Sequence, residues 1–352
     1  MLRHIWLNHA HSSQRDVASL MRSGGLGGSV NVTVSHKEFR EDIFLESDGY
    51  FIEPSGMSEE DFDYAEWALN TAAEKGFVGL LAMRQRRALL KLRDQFDSQG
   101  IRLAAGAVAS NAIDLCDHKD AFTDLVKANG IPVAETISVT SAEELREAIV
   151  DIEQISREVC IKPVVGVYGR GFWKFRRGVS PFDLFSKLEP NVVDPDMYID
   201  AFGKAENPSK QIVMAYLSGI ESSVDAVCDN GRIVSHAVRQ KFEGHQIVFT
   251  GGPELDIAQA VAQIIGLDGL VNIQTKADAS GIPNVLEVNT RPSGGVGFSA
   301  AAGINLPHDC AMMMLGERVQ PPVLNSPVAV RRIDTTIKLP EMTARLKRVQ
   351  AA

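Results

Sequence analysis

Cysteine is scarce in this sequence, and its few thiols are spaced too widely for a metal or disulfide framework. The 352 residues include four cysteines, at Cys116, Cys160, Cys228 and Cys310, and no C-x-x-C pair. Zinc ribbons need such pairs, and disulfide scaffolds need a dense set of cysteines. We therefore expect four reduced, buried thiols of the kind found in cytoplasmic proteins.

Long apolar runs and a secretory leader are missing as well. No segment reaches the ~18 continuous apolar residues of a membrane span, and the apolar burst at Ile5–Leu7 is too short for a signal peptide. Lys and Arg number 36 against 45 Asp and Glu, a net charge of -9. That balance predicts no general attraction to nucleic acid or anionic lipid. We expect a soluble cytoplasmic protein with neither kind of partner.

Two common enzyme signatures do not occur. The glycines of the GGLGG run, Gly24 to Gly28, follow a helical pattern rather than a first strand, so the dinucleotide-binding fingerprint is missing. An NAD-dependent dehydrogenase is therefore not expected, and we interpret GGLGG as a turn. No G-x-S-x-G nucleophile elbow is present either.

Strand-like and helix-like runs alternate over the first 110 residues, at a length that fits about two domains in all. Short apolar runs, each predicting a buried strand, begin at His4, Val30, Tyr50, Phe77 and Ile101. A helix is predicted between Ser58 and Gly76, with Ser58 as its N-cap. Such alternation is typical of a parallel α/β sheet.

The run from Leu270 to Pro292 predicts a β-hairpin whose face is rich in oxygen ligands. If Ser280 and Gly281 form a two-residue turn, Gln274 faces Glu287 and Asn272 faces Asn289. The period of two puts Glu287 and Asn289 on one face. One carboxylate with amides suits Mg²⁺ when a nucleotide supplies phosphate oxygens. A solvated polar face is the alternative that the residues alone leave open.

Other residues also favour a nucleotide-binding site, and each of them has an alternative interpretation. Lys162 lies on an apolar strand, where its charge needs a partner such as phosphate, unless it simply extends to solvent. The next loop holds Gly166, Gly169, Arg170 and Gly171, which suit phosphate binding but equally suit a mobile surface loop.

Two further strands carry candidate ligand-binding groups. Glu221, in the pattern GIESSVD, could accept ribose hydroxyls. Arg239 and Lys241 form a basic run close to it in sequence. In isolation, each set could also be a solvated face.

The order of these motifs resembles the ATP-grasp superfamily, and most closely its branch around the large subunit of carbamoyl phosphate synthase. The set is Lys119, then IKP at Lys162, the glycine loop, G-x-E-x-x-V-D, and LEVNTRPSG. The resemblance covers roughly residues 1–320. It implies an α/β and α+β fold, with a Rossmann-like pre-ATP-grasp domain before a two-lobed ATP-grasp domain. The implied boundaries are 1–112, then 113–214 for the small lid lobe and 215–352 for the core lobe.

The resemblance also implies roles for individual residues. Lys119, Lys162 and the loop Gly166, Gly169, Arg170 and Gly171 match groups that hold ATP phosphates. The adenine hinge matches Ala215, Tyr216 and Leu217, the ribose-binding acid matches Glu221, and Lys241 is placed with the nucleotide. The Mg²⁺ or Mn²⁺ ligands match Gln274, Glu287 and Asn289. Arg291, Lys162 and Arg239 are the implied catalytic groups.

Two departures from the family pattern stand out. Many members carry an acidic residue in the hinge, where Ala215 or a neighbour stands here, and Thr290 replaces a usual proline. The implied activity is an ATP-dependent ligase that activates a carboxylate as an acyl phosphate and joins it to an amine or similar nucleophile. A non-catalytic ATP-binding regulatory protein and a small-molecule kinase are the alternatives. A homodimer is the assembly that the family suggests.

Overall fold

The five apolar runs near the start of the chain form one parallel sheet, as predicted. The computed structural model describes residues 3–10, 13–23, 30–54, 56, 62–166, 169–186 and 191–342. The predictions for Gly24, Gly25, Gly27, Gly28 and Ser58 lie outside those ranges. The strands are β1 (Arg3–Leu7), β2 (Val30–His36), β3 (Gly49–Ile52), β4 (Gly79–Leu81) and β5 (Arg102–Ala104), in the order β3-β2-β1-β4-β5.

The last three residues of the central strand of this sheet are apolar because both faces of the strand are covered there. Ile5, Trp6 and Leu7 are fully buried, which is the pattern expected of parallel strands with helices on both sides. The remaining elements of the first 117 residues are α1 (Gln14–Ser23), α2 (Glu41–Phe44), α3 (Phe62–Glu74), α4 (Arg86–Leu90), α5 (Arg93–Ser98), β6 (Gly106–Ala107) and α6 (Ser110–Asp117). The predicted helix stop at Gly76 is confirmed, since this glycine has φ +68°.

A second sheet forms from the middle of the chain. Its strands are β7 (Thr136–Val139), β8 (Val159–Pro163), β9 (Trp173–Phe175), β10 (Val192–Val193) and β11 (Gln211–Ala215), in the order β10-β9-β8-β11-β7. The helices here are α7 (Lys119–Ala128), α8 (Ala142–Ile155), α9 (Asp183–Ser186) and α10 (Pro195–Gly203). Ser141 caps α8 by accepting a hydrogen bond from the Glu144 N–H.

The following described residues add a long, mainly antiparallel sheet and further helices. The strands are β12 (Glu221–Asp229), β13 (Arg232–Phe242), β14 (His245–Phe249), β15 (Leu267–Ala277), β16 (Pro283–Asn289) and β17 (Val328–Val330). Their order is β16-β15-β12-β13-β14-β17, and β6 also pairs with β15. The helices are α11 (Pro253–Ile265), α12 (Val296–Ala301) and α13 (Leu306–Met314).

The chain forms two compact units, and neither is continuous in sequence. The first unit comprises Met1–Ile113, Ser222–Gln274 and Val288–Ala352, and the second comprises Asp114–Glu221 and Thr275–Glu287. In the first unit, one apolar cluster includes Ile5 and Val32 of the parallel sheet and Leu306 of α13. In the second, α8 packs on its sheet through Leu145 and Ile149.

The loop of the predicted hairpin differs from the prediction. The turn is not the two-residue Ser280-Gly281 turn: the Asp278 N–H donates to the Ile282 carbonyl at 2.9 Å, which leaves three residues in the loop. The Asp278 carboxylate accepts the N–H groups of Ser280 and Ile282, and Gly281 has φ +84°. An aspartate that caps the loop and a left-handed glycine at its end favour this three-residue form.

All four cysteines are buried and none forms a disulfide, as expected. Burial raises the pKa of the Cys310 thiol to about 12. Among the helices of the described ranges, none has the length and apolar character needed to cross a bilayer.

A buried carboxylate connects the ends of three parallel strands through hydrogen bonds. Glu53, which follows β3, accepts hydrogen bonds from the His9 N–H at 2.8 Å, the Ser35 hydroxyl at 2.5 Å and the Tyr64 hydroxyl at 3.1 Å. Its other close partner is the His9 ring, with 2.6 Å between Nδ1 and Oε2. Burial alone would raise the pKa of Glu53, but the His9 ring and these donors outweigh it and hold the pKa below its usual value.

We predict that Glu53→Gln lowers the free energy of unfolding at pH 7 by about 1.5–3 kcal/mol, the range for buried hydrogen bonds to a charged group. Because the pKa is depressed in the folded state, the carboxylate stabilises the fold above its unfolded pKa, and this contribution is lost as the pH falls through the folded value. The difference in free energy of unfolding between the variant and the parent should therefore be smaller at acidic pH. Urea unfolding at pH 7 and pH 4 measures it, with the exposed Glu66→Gln as control. A gap that is constant with pH would contradict the assignment.

Candidate functional site

Two lysines and a carboxylate of the second unit lie within electrostatic range of one another. Lys119 begins α7 and is 8% exposed, and its ammonium donates to the carbonyls of Gly166 at 3.0 Å and Val164 at 3.4 Å. Lys162 lies on β8 and is half-buried. Burial lowers the pKa of Lys162, Glu287 opposes the shift, and the Lys119 charge adds to it. A bound anion would stabilise both ammonium groups.

The glycine loop that follows β8 has a backbone that only glycine adopts easily. Gly169 and Gly171 have φ +66° and +76°. A Cβ on Gly171 would lie 2.7 Å from Cγ of Pro163, so a side chain does not fit there. Arg170 is exposed between them. Glycines in such a loop expose backbone N–H groups to an anion.

The predicted hinge closes one side of a small apolar cluster within the second unit. Its buried members are Ala134, Cys160, Met214 and Leu217, and Phe172, Tyr216 and Leu286 pack against them. Aliphatic and aromatic side chains of this kind line most ligand pockets. Burial, acting against the nearby Lys162 charge, raises the pKa of the Cys160 thiol to about 12, so this thiol stays protonated.

The hinge residues themselves are fixed by the backbone and by two cations. The Ala215 N–H donates to the Glu135 carbonyl at 3.2 Å, and the Tyr216 N–H donates to the Glu158 carbonyl at 2.8 Å. The Tyr216 ring has the ammonium of Lys174 at 4.1 Å and that of Lys276 at 4.7 Å from its centroid. These cation–π contacts hold the ring in place.

A buried ion pair organises the first unit. Arg239 on β13 is 2% exposed, and its Nε donates to Asp225 of β12 at 2.6 Å. The remaining guanidinium nitrogens donate to Gln246 at 2.5 Å and to the Ser293 hydroxyl at 3.1 Å. Asp225 is fully buried and also accepts from Asn272 and Ser293, each at 2.8 Å. The pair therefore holds the segment after β16 against the sheet.

A row of amides starts from this pair. Asn272 on β15, oriented by Asp225, accepts through its side-chain oxygen from Gln274 at 3.2 Å and from Asn289 at 3.4 Å. The amide nitrogens of Gln274 and Asn289 thus both point to the same oxygen of Asn272. The side chains of Asn272 and Asn289 are thus in contact, and Glu287 shares the Asn289 face of β16 by the period of two. The predicted pairing of Gln274 with Glu287 depended on the two-residue turn and stays a prediction.

The other predicted residues occupy positions near these groups in sequence. Glu221 is the first residue of β12 and is half-buried. Lys241 lies near the end of β13. Arg291 follows β16, and its guanidinium donates to the Pro292 carbonyl at 3.3 Å. Their ligand-binding roles stay predictions.

Sequence analysis did not assign Asp225 or Ser293 to the site, although both are central to it. Asp225 lies four residues after Glu221 and so shares its face of β12, a signal that was available. Ser293 carried none, since its partners depend on where the loop after β16 folds. In the described ranges, no three His, Cys, Asp or Glu side chains form a metal cluster, so a metal here would need the amide oxygens.

Comparison with known sequences finds relatives for much of the chain. The family described as "ATP-grasp in the biosynthetic pathway with Ter operon" matches residues 207–336. The carbamoyl phosphate synthase large chain of Gemmatimonas aurantiaca is 26% identical over 255 residues, which is 68% of this chain and 22% of the relative. The chain thus spans about a fifth of the length of that relative.

Solved structures show the same fold. N5-carboxyaminoimidazole synthetase from Staphylococcus aureus, complexed with ADP, has a TM-score of 0.68 at 14% identity, covering 94% of this chain and 82% of that one. The biotin carboxylase domain of the Hydrogenobacter thermophilus 2-oxoglutarate carboxylase, in complex with MgADP and bicarbonate, has a TM-score of 0.60 at 16% identity, covering 91% and 71%. The expected mixed α/β fold with several sheets is confirmed.

The buried ion pair requires a glycine beside it. A Cβ on Gly295 would lie 2.2 Å from Nη2 of Arg239, whereas a Cβ on Gly297 would meet nothing within 4 Å. We predict that Gly295→Ala lowers the free energy of unfolding by about 1–3 kcal/mol through overpacking. Gly297→Ala, which lies inside α12, should be neutral or stabilising. Denaturant unfolding of the two variants tests this, and equal stabilities would contradict the contact.

Proposed function

Because this chain belongs to the ATP-grasp superfamily, we propose that it is an ATP-dependent ligase. It would activate a carboxylate as an acyl phosphate, join it to an amine or similar nucleophile, and release ADP and phosphate. The observation that carries this proposal is the group of Lys119, Lys162 and Glu287, two cations and one carboxylate beside an apolar hinge cluster. Such a group suits the phosphates of a nucleotide and its metal better than a neutral ligand.

The proposed nucleotide would be held mainly by the second unit. Adenine would lie on the apolar cluster beside Ala215, Tyr216 and Leu217, and Glu221 would accept the ribose hydroxyls. The phosphates would interact with Lys119, Lys162 and the glycine loop. The steric exclusion of a side chain at Gly171 supports this, because a phosphate-binding loop needs its backbone exposed. Lys241 is proposed as a further cation for the nucleotide.

A divalent ion, Mg²⁺ or Mn²⁺, would be held by Gln274, Glu287 and Asn289. The fit rests on the chemistry of the residues, which are one carboxylate and two amides whose nitrogens donate to Asn272. Hard cations prefer such oxygens, and a nearly neutral protein site suits an ion that also binds phosphates. When bound, the ion would neutralise charge on the phosphate oxygens.

Cationic side chains of the chain would stabilise the reacting phosphoryl group. Lys162 and Arg291 would balance the charge that spreads over the transferred phosphoryl group. The glycine loop would exclude water, which would otherwise hydrolyse an acyl phosphate. Arg239 was predicted as a catalytic group, and we propose that it acts by positioning Ser293, since its side chain is buried and has three side-chain partners.

We also propose the domain boundaries that the family suggests. Residues 1–112 would form the Rossmann-like pre-ATP-grasp domain, 113–214 the lid lobe and 215–352 the core lobe. The parallel order β3-β2-β1-β4-β5 supports the first, and the separate sheet formed by β7 to β11 supports the second. Small-molecule acids and amines are the proposed substrates; a homodimer and a cytoplasmic location stay predictions.

The direct test is incubation with Mg·ATP and pools of small acids and amines. We expect acid-dependent release of ADP and phosphate, and trapping of the activated acid as a hydroxamate. Nucleotide binding without phosphate release in any pool would favour the regulatory protein instead. A stable phosphorylated product formed without amine would indicate a kinase.

Glu287→Gln removes the only carboxylate of the proposed metal set. We predict that it slows phosphate release about 100-fold, which corresponds to about 2.7 kcal/mol at 1.36 kcal/mol per tenfold. The matched control is Glu153→Gln on α8, an exposed carboxylate paired with Arg177. Steady-state kinetics compare the two, and an unchanged rate for Glu287→Gln would exclude the proposed metal site.

Lys162→Met removes a cation from the proposed phosphate group. We predict that it weakens ATP binding about tenfold or more, since a charge-assisted hydrogen bond contributes about 1.5–3 kcal/mol. Lys127→Met on α7 is the control, because that lysine is exposed and pairs with Glu135. Calorimetric titration with Mg·ADP gives both dissociation constants, and equal values would overturn the role of Lys162.

A further inference from the structure

A cavity of about 280 Å³ lies within the first unit, and helices α1 and α12 and the end of β17 line it. We propose that this cavity binds a small anion that carries a carboxylate or a phosphate group.

The charge of the lining favours an anion. Arg15, Arg331 and Arg332 contribute three positive charges and Asp16 one negative charge, which gives the lining +2 in a chain of net charge -9. A local concentration of positive charge on an acidic protein attracts anions selectively to that point.

The two consecutive arginines have N–H donors beyond those that bind carbonyl groups of the protein. Nε of Arg331 donates to the Gly244 carbonyl at 2.7 Å, and Nη2 of Arg332 donates to the Gly294 carbonyl. Within the described ranges, neither guanidinium has a carboxylate as ion-pair partner, whereas Arg15 pairs with Glu46. Each guanidinium has five N–H donors. An oxyanion is the ligand that uses several of them at once.

An aromatic ring fixes the position of Arg332. The Phe298 ring centroid lies 5.3 Å from Cζ of Arg332 and 5.9 Å from Cζ of Arg239. The guanidinium of Arg332 is thus held over the ring by a cation–π contact. Leu20, Phe298 and Ala301 give the cavity an apolar wall. The occupant is therefore expected to combine an acidic group with a short carbon skeleton.

The cavity is connected to the buried ion pair through one short segment. Arg332 binds the carbonyl of Gly294, and the adjacent Ser293 hydroxyl contacts both Asp225 and Arg239. An anion that orders Arg332 would therefore steady the segment after β16. Binding of an anion in the cavity is thereby coupled to the residues that organise the first unit.

The test uses the nucleotide-free full chain, so it does not depend on ligase activity. Succinate and inorganic phosphate are titrated by calorimetry at constant ionic strength, with 1,4-butanediol as an uncharged match for succinate. We expect at least one anion to bind and the diol not to bind. Succinate alone would identify a carboxylate site, and phosphate alone a phosphate site. The double variant Arg331→Gln/Arg332→Gln should weaken binding at least tenfold.

The matched control is Arg177→Gln, an exposed arginine that pairs with Glu153 and lies in the second unit. It should leave the dissociation constant within twofold of the parent. Failure of both anions to bind, or equal binding by the double variant, would overturn the proposal even if the protein ligates acids. Binding that is lost in the double variant would support the site even if no ligation is found.

Discussion

The buried ion pair between Asp225 and Arg239 is the interaction on which the first unit depends. Two charges removed from water are tolerated only when their remaining lone pairs and protons are also satisfied. Here Asn272, Gln246 and Ser293 provide those partners. One ion pair thereby orients the amide row on β15, fixes the segment after β16 and requires a glycine at Gly295. Removing either charge would leave the other buried without its counter-ion, which typically costs about 3–5 kcal/mol.

The parallel sheet could be predicted from sequence because each strand is a short apolar run between helical patterns. The strands β9 and β10 could not, because they are three and two residues long and most of their residues are half-buried. Strands this short carry no periodic signal, and they exist only through pairing with distant residues. The hairpin was recognised, but its loop was not, since the side chain of Asp278 decides between two- and three-residue forms.

The candidate site likewise combines residues that the local sequence predicts with contacts that depend on distant parts of the chain. Lysines, glycines and the amide row were found because residue type and order along the chain are local properties. The structure adds what depends on register and packing: Asn272 is the centre of the amide row, and Arg239 is surrounded by side chains. A basic run that looks solvated in sequence is, at Arg239, 2% exposed. No composition rule separates a buried, positioning arginine from one that contacts a ligand.

The interleaved path of the chain has a consequence for protein synthesis. The second unit is completed only by Thr275–Glu287, and the first only by residues that follow Val288. A ribosome must therefore translate more than three-quarters of the sequence before either unit can close. Until then, strands such as β8 and β12 lack part of their surroundings, and exposed strand edges are prone to aggregate. Nascent chains that stall before Glu287 should consequently depend on chaperones far more than chains in which both units have folded.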